Sequence, residues 1–153
     1  MAQVDIAKLK KLREETQVSL ADCRKALEEN DNDYEKAKAW LKAHGLEKAA
    51  KKADRATEQG MIDAYIHQTG RVGAMVELLC ETDFVARTDE FKKLAREVSM
   101  QVAAMNPKDT EALLQQDYIR DGSKTIETLI KETIAKLGEN ITIKRFQGLE
   151  IGE

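Results

Sequence analysis

The apolar residues change period at Gly60, dividing the chain into a helical first third and a mixed remainder. Before that point Ile6, Leu9 and Leu12 repeat at helical spacing, and Thr16 to Val18 interrupt them. Ser19, with Asp22 three residues on, makes a capping-box-like start for a second helix bearing Leu20, Cys23, Ala26 and Leu27, which Asn30 to Asn32 end. Asn32 and Glu35 open a third helix through Ala37, Trp40 and Leu41. Gly45 is expected at its end, because glycine tolerates the left-handed conformation found there. Three helices of this length enclose only a small core. From Lys48 to Gln59, Ala and charged residues leave no apolar face wide enough to require burial. The expected organisation is therefore a three-helix module (1–47), a helical or partly flexible linker with a solvated lysine face (48–59), and a second unit (60–153).

After Gly60 come two short runs rich in β-formers, Met61 to His67 and Val72 to Cys80, punctuated by Gln68-Thr-Gly-Arg71; they predict a hairpin. Thr88 caps a helix whose Phe91, Leu94, Ala95, Val98 and Val102 form one apolar stripe until Asn106-Pro107 stops it. A last helix is expected from about Lys124 to Leu137, with Ile126, Leu129, Ile130, Ile134 and Leu137 inward, and Gly138 releases it. Ile141, Ile143, Arg145 and onward to Leu149 and Ile151 read as a closing strand. The fold class is thus α+β: an N-terminal three-helix module and a core of three antiparallel strands with helices on one face. Ala74-Met-Val-Glu-Leu-Leu79 is apolar at both parities, giving more apolar surface than one helical layer covers. Burial against a second copy, a homodimer, would resolve this.

Composition narrows the partners. With 42% hydrophobic and 35% charged residues the chain belongs among soluble globular proteins, and at 153 residues it can fold without staples. A net charge of -3 gives no general attraction to nucleic acid or to an anionic membrane, so a protein partner fits better. Cys23 and Cys80 form no CxxC pair and, with only His44 and His67 beside them, build no zinc site; a reducing interior is the expected setting. There is no apolar signal segment and no run approaching the roughly 20 residues that span a bilayer. Without such a signal, the sequon Asn140-Ile-Thr142 reads as chance.

No constellation for bond chemistry emerges, so neither an enzyme, a cofactor nor a metal is expected. Gly122-Ser-Lys-Thr125 lacks the glycine a phosphate loop needs directly before its lysine. A small hydrolase using Asp83 and His67 is a distant reading, since nothing marks a pocket around them.

The segment Cys80-Glu-Thr-Asp-Phe-Val-Ala-Arg87 carries more information. An apolar run breaks there into a short acidic-aromatic tip before the helix at Thr88. Thr82 and Asp83 suit a turn, but Phe84 and Val85 do not suit one that merely reverses direction in water. Either Phe84 folds back as a lid on the core, or it is a knob for another protein's apolar pocket with Asp83 beside it as a directed charge.

CETDFVARTDEF resembles the signature of translation elongation factor Ts, the guanine-nucleotide exchange factor for elongation factor Tu. Further segments resemble the family in its own order: Leu12-Arg-Glu-Glu-Thr16 with Asp22-Cys-Arg-Lys-Ala-Leu27, Lys48-Ala-Ala-Lys-Lys-Ala-Asp54, Gly60 to His67, Arg71 to Leu78, and Ile134 to Ile141. The resemblance implies a ubiquitin-associated type of module at the N-terminus and an exchange factor that binds elongation factor Tu, GDP-bound and nucleotide-free. Thr82, Asp83, Phe84 and Val85 would contact that partner, together with Leu20 and Arg24 of the module. Phe84 would enter an apolar pocket, and Asp83 would disturb the Mg²⁺ and phosphate site. Only one core subdomain is present and no protruding helical hairpin, as in short members of the family thought to pair their subunits. Gln17, Ser19, Leu20 and Ala21 replace the family's usual glycines and paired methionines. The implied location is a bacterial cytoplasm or an organelle interior. The alternative from another class is a non-catalytic adaptor whose three-helix module binds ubiquitin-like or nascent-chain partners.

Overall fold

Capping chemistry sets most of the helix starts. The computed structural model describes residues 3–153, so Met1 and Ala2 of the expected module lie outside the described residues. Asp5 accepts from the Ala7 and Lys8 amides to open α1 (Ile6–Thr16), and Ser19 accepts from the Asp22 amide to open α2 (Leu20–Glu29). Helix α3 (Tyr34–Lys51) starts at Asp33, not Asn32. Asn32 is instead left-handed, and its side chain accepts from the Asp5 amide and donates to the Gln3 carbonyl, tying the α2–α3 turn to the start of α1. Leu12, Cys23, Ala26, Leu27, Ala37 and Leu41 form the small core of this module.

Helix α3 departs from expectation. It runs through Gly45 to Lys51, so residue 47 falls inside a helix. Gly45 is a packing glycine, not a stop: a Cβ built there meets the Ala135 Cβ at 3.0 Å, so the missing side chain lets α3 approach α7 (Ile126–Leu137). The continuation is anchored at both margins. Lys48 pairs with Asp22 at 2.8 Å, and Ala49, 2% exposed, belongs to the core of the second unit.

Strands β1 (Gln59–Ile66), β2 (Val72–Cys80) and β5 (Ile141–Glu150) form the antiparallel sheet in the order β1-β2-β5. Ala74, Val76, Leu78 and Cys80 of β2 point into the core beneath α5 (Asp89–Met105) and α7, which cover one face. The alternation expected along β5 does not persist. Glu77 pairs with Arg145 and Leu78 with Ile143, leaving Lys144 as a bulge that switches parity. Ile141 and Ile143 therefore face inward, whereas Leu149 and, just beyond the strand, Ile151 stand exposed.

Two features were absent from the sequence reading. A short α6 (Thr110–Gln115) precedes a miniature hairpin, β3 (Asp117–Tyr118) and β4 (Asp121–Thr125), and α7 starts at Ile126, capped by Thr125, where a start at about Lys124 was expected. The hairpin is held by side chains of α5. Gln101 donates to the Asp117 carbonyl at 3.0 Å and accepts from the Ile119 amide at 3.0 Å; the Tyr118 hydroxyl donates to Glu97, which Arg120 pairs at 2.9 Å. Burial, with the Glu97 hydrogen bond second, pushes the Tyr118 hydroxyl up to about 12.

Candidate partner-binding site

At the end of β2 the chain does not form the open turn the sequence implied; it winds one helical turn, α4 (Asp83–Ala86). Thr82 caps it, its hydroxyl accepting from the Val85 amide at 3.4 Å. Because successive side chains of a helix stand about 100° apart, one turn sorts these four residues into two sides. Val85 and Ala86 pack against the core, while Asp83 and Phe84 stand outward. Phe84 is 77% exposed, so the lid reading of this ring does not hold. Val85, expected among the partner contacts, is the root of the turn. A second hydrogen bond closes the exit: the Thr88 hydroxyl donates to the Val85 carbonyl at 2.7 Å, and its oxygen accepts from the Phe91 amide to start α5.

Beneath the turn lies Cys80, wholly buried, its thiol donating to the Thr82 carbonyl at 3.1 Å. Burial first, and the charge of Glu139 second, push this thiol up to about 11. On the outer side the Asp83 carboxylate pairs with Arg87 at 3.0 Å; both side chains are exposed, which makes the pair exchangeable. The turn therefore offers a bare aromatic ring and an adjacent carboxylate whose present partner is its own neighbour.

Residues the sequence reading missed hold this turn from below. Glu139, in the loop between α7 and β5, accepts from the Thr82 amide at 2.9 Å and from the Thr82 hydroxyl at 2.7 Å. Glu81 returns the contact by accepting from the Asn140 amide at 2.8 Å. The Asn140 side chain, 3% exposed, donates to the carbonyls of Ala53 and Arg55, which links the exit of α3 to the tip and accounts for the asparagine of the apparent sequon. The only sequence signal was the Ile134 to Ile141 segment, which resembled the family without revealing a role.

Leu20 and Arg24 lie elsewhere, on the first turns of α2. Leu20 is exposed and Arg24 pairs with Glu28 at 2.9 Å; among the described residues no hydrogen bond or ion pair joins them to the tip. The hydrolase reading fails on distance. His67 and Asp83 follow opposite ends of the eight-residue β1–β2 ladder, at roughly 3.3 Å per residue some ~25 Å apart. Among the described residues no three His, Cys, Asp or Glu side chains come together to hold a metal ion, and no helix is long and apolar enough to cross a membrane.

Comparison with known proteins decides the family. The model for "Elongation factor TS" matches residues 81–153, beginning at the tip, and that for "Elongation factor Ts, mitochondrial, N-terminal" matches residues 1–53. Elongation factor Ts of Oleidesulfovibrio alaskensis is 42% identical over 99% of this chain and 100% of its own length. The chain belongs to the elongation factor Ts family. Elongation factor Ts of a Thermoanaerobacter species is 43% identical over 95% of this chain and 93% of its own. That of Thermosynechococcus vestitus is 38% identical, with all of this chain covering 67% of the relative. The first of these alignments spans 197 positions against the 153 residues here.

Proposed function

We propose that this protein is a guanine-nucleotide exchange factor that binds elongation factor Tu and promotes release of GDP. The observation that carries the reading is the outward Phe84 on a braced helical turn, within the segment that resembles the family signature. Phe84 enters an apolar pocket of the partner's nucleotide-binding domain. Asp83, released from Arg87, disturbs the elements that hold Mg²⁺ and the phosphates of GDP, and Leu20 and Arg24 of the three-helix module add contacts to the same domain. The chain breaks no bond; it acts by differential binding. If it weakens GDP binding by some factor, GDP weakens its binding by the same factor, so the ternary complex is a transient. One buried aromatic ring contributes ~1.5–3 kcal/mol, about one to two decades in an equilibrium, so the remaining interface supplies the rest of any larger acceleration.

The chain functions as a homodimer joined through its sheets. The uncovered face of the sheet carries exposed Ile62 and, around a groove of about 430 Å³, Ile66, Met75, Leu149 and Ile151, also exposed. Farther along the same face Glu77 and Arg145 pair at 2.7 Å. A two-fold pairing of two such faces buries the apolar end of each without leaving an open surface for further copies. The protein works in a bacterial cytoplasm or an organelle interior, a reading that its resemblance to bacterial relatives supports.

Release of labelled GDP from elongation factor Tu, with and without the protein, tests the exchange activity. Acceleration by the protein, reversed by excess unlabelled GDP through dissociation of the complex, is the expected result. Unchanged release at saturating protein refutes it.

A further inference from the structure

The tip cannot hold its own shape. A four-residue helix closes too few internal hydrogen bonds to offset the ordering of its backbone, so its geometry has to be imposed from outside. Side-chain bonds to Thr82 do this, and the residue that supplies them lies 57 positions away in sequence. We propose that Glu139 is a positioning residue for the exchange tip, its carboxylate setting the direction in which Phe84 projects. The inference rests on the exchange reading above and assigns that site a further member.

The geometry is specific. Each carboxylate oxygen of Glu139 takes one donor of the same residue, Oε1 the Thr82 amide at 2.9 Å and Oε2 the Thr82 hydroxyl at 2.7 Å. A hydroxyl has a single hydrogen. With that hydrogen committed to Glu139, the oxygen of Thr82 presents its lone pairs to the Val85 amide, which is the bond that caps the turn. Glu139 thereby fixes the backbone of Thr82 and the orientation of its cap together, and the side on which Phe84 emerges follows from where the turn begins. Glu139 itself is placed by rigid elements. Gly138, left-handed with φ of 78°, ends α7 directly before it, and Asn140 directly after it is bonded to Glu81, Ala53 and Arg55. Glu139 is half-buried and bonded to Thr82, two residues before Phe84, so its hold on the ring's direction passes through Thr82.

The test uses the full chain with elongation factor Tu carrying labelled GDP, and the variants Glu139→Ala, Glu139→Gln, Phe84→Ala and the double variant Glu139→Ala/Phe84→Ala. Amide hydrogen exchange on the free protein reads the anchoring. Residues 82–86 should exchange about tenfold faster in Glu139→Ala, the worth of one charge-assisted hydrogen bond, while α5 and the β1–β2 ladder keep their protection. Glu139→Gln should fall between, because one oxygen still accepts. The rate of GDP release at low factor concentration should drop about tenfold in Glu139→Ala, yet by less than about twofold when Phe84 is already Ala, since no ring remains to be aimed. Unchanged protection at residues 82–86 overturns the proposal. So does an equal loss in both backgrounds, which would mean direct contact with the partner or general damage. A wild-type chain that leaves GDP release unaltered refutes the exchange reading instead, and the amide measurements then decide the anchoring alone.

Discussion

Replacing Phe84 by Ala separates what the ring does for this molecule from what it does for a partner. The ring is 77% exposed, so less than a quarter of its surface rests on its own chain. Full burial of such a side chain stabilises by ~1.5–3 kcal/mol, and the part at stake here is roughly 0.5 kcal/mol. For a chain of this size that lowers the melting temperature by about 2 °C. A ring packed in the core behaves otherwise: truncation of a buried Phe typically costs about 3–5 kcal/mol and a shift on the order of 10 °C. On the partner side, transfer of the exposed ring into an apolar pocket is worth one to two decades, so the GDP-release rate at subsaturating factor should fall roughly 10- to 100-fold. Thermal unfolding and stopped-flow release of a fluorescent GDP on the same preparation give both numbers. A large fall in melting temperature with undiminished release would refute the reasoning outright, because it would return the ring to the protein's own core.

Four other outcomes follow from the packing, the buried Cys80 thiol and the open sheet face. Gly45→Leu forces a side chain into the α3–α7 contact, where even a Cβ lies 3.0 Å from that of Ala135, and should destabilise by about 1–3 kcal/mol in urea unfolding; Ala135→Gly in the same chain should recover part of the loss. Cys80, buried and with its thiol pushed up to about 11, should be alkylated by iodoacetamide at pH 8 far more slowly in the native than in the unfolded protein, as mass spectrometry can follow. Because the folded thiol holds its proton more tightly than the unfolded one, its contribution to stability is full below about pH 9 and declines as pH rises from there towards 11, a decline that Cys80→Ala should reduce. Sedimentation equilibrium should find a dimer for the full chain and a monomer for Met75→Glu with Leu149→Glu, both on the open sheet face; a wild-type monomer at high micromolar concentration would defeat the homodimer.

Local pattern was enough for the elements that carry a full period of apolar residues. The stripe from Phe91 to Val102 and the hairpin around Gln68 to Arg71 are visible in sequence because each repeats its signal over several turns or strand pairs. The mixed parity of Ala74 to Leu79 likewise announced a sheet with apolar residues on both faces. Where a residue's role depends on something distant, sequence was silent or misleading. Gly45 carries the composition of a helix end, but the approach of Ala135 makes it a contact inside a longer helix. The bulge at Lys144 turns Leu149 outward because two residues there oppose one across the ladder. The β3–β4 hairpin is too short to have a period and exists through Gln101 and Glu97. At the tip the sequence determined the chemistry, an aromatic ring beside a carboxylate after a capping threonine. Only tertiary structure decided that the ring faces out, because the bonds that orient four residues come from Glu139, and a hydrogen bond across 57 positions leaves no periodic trace in either partner.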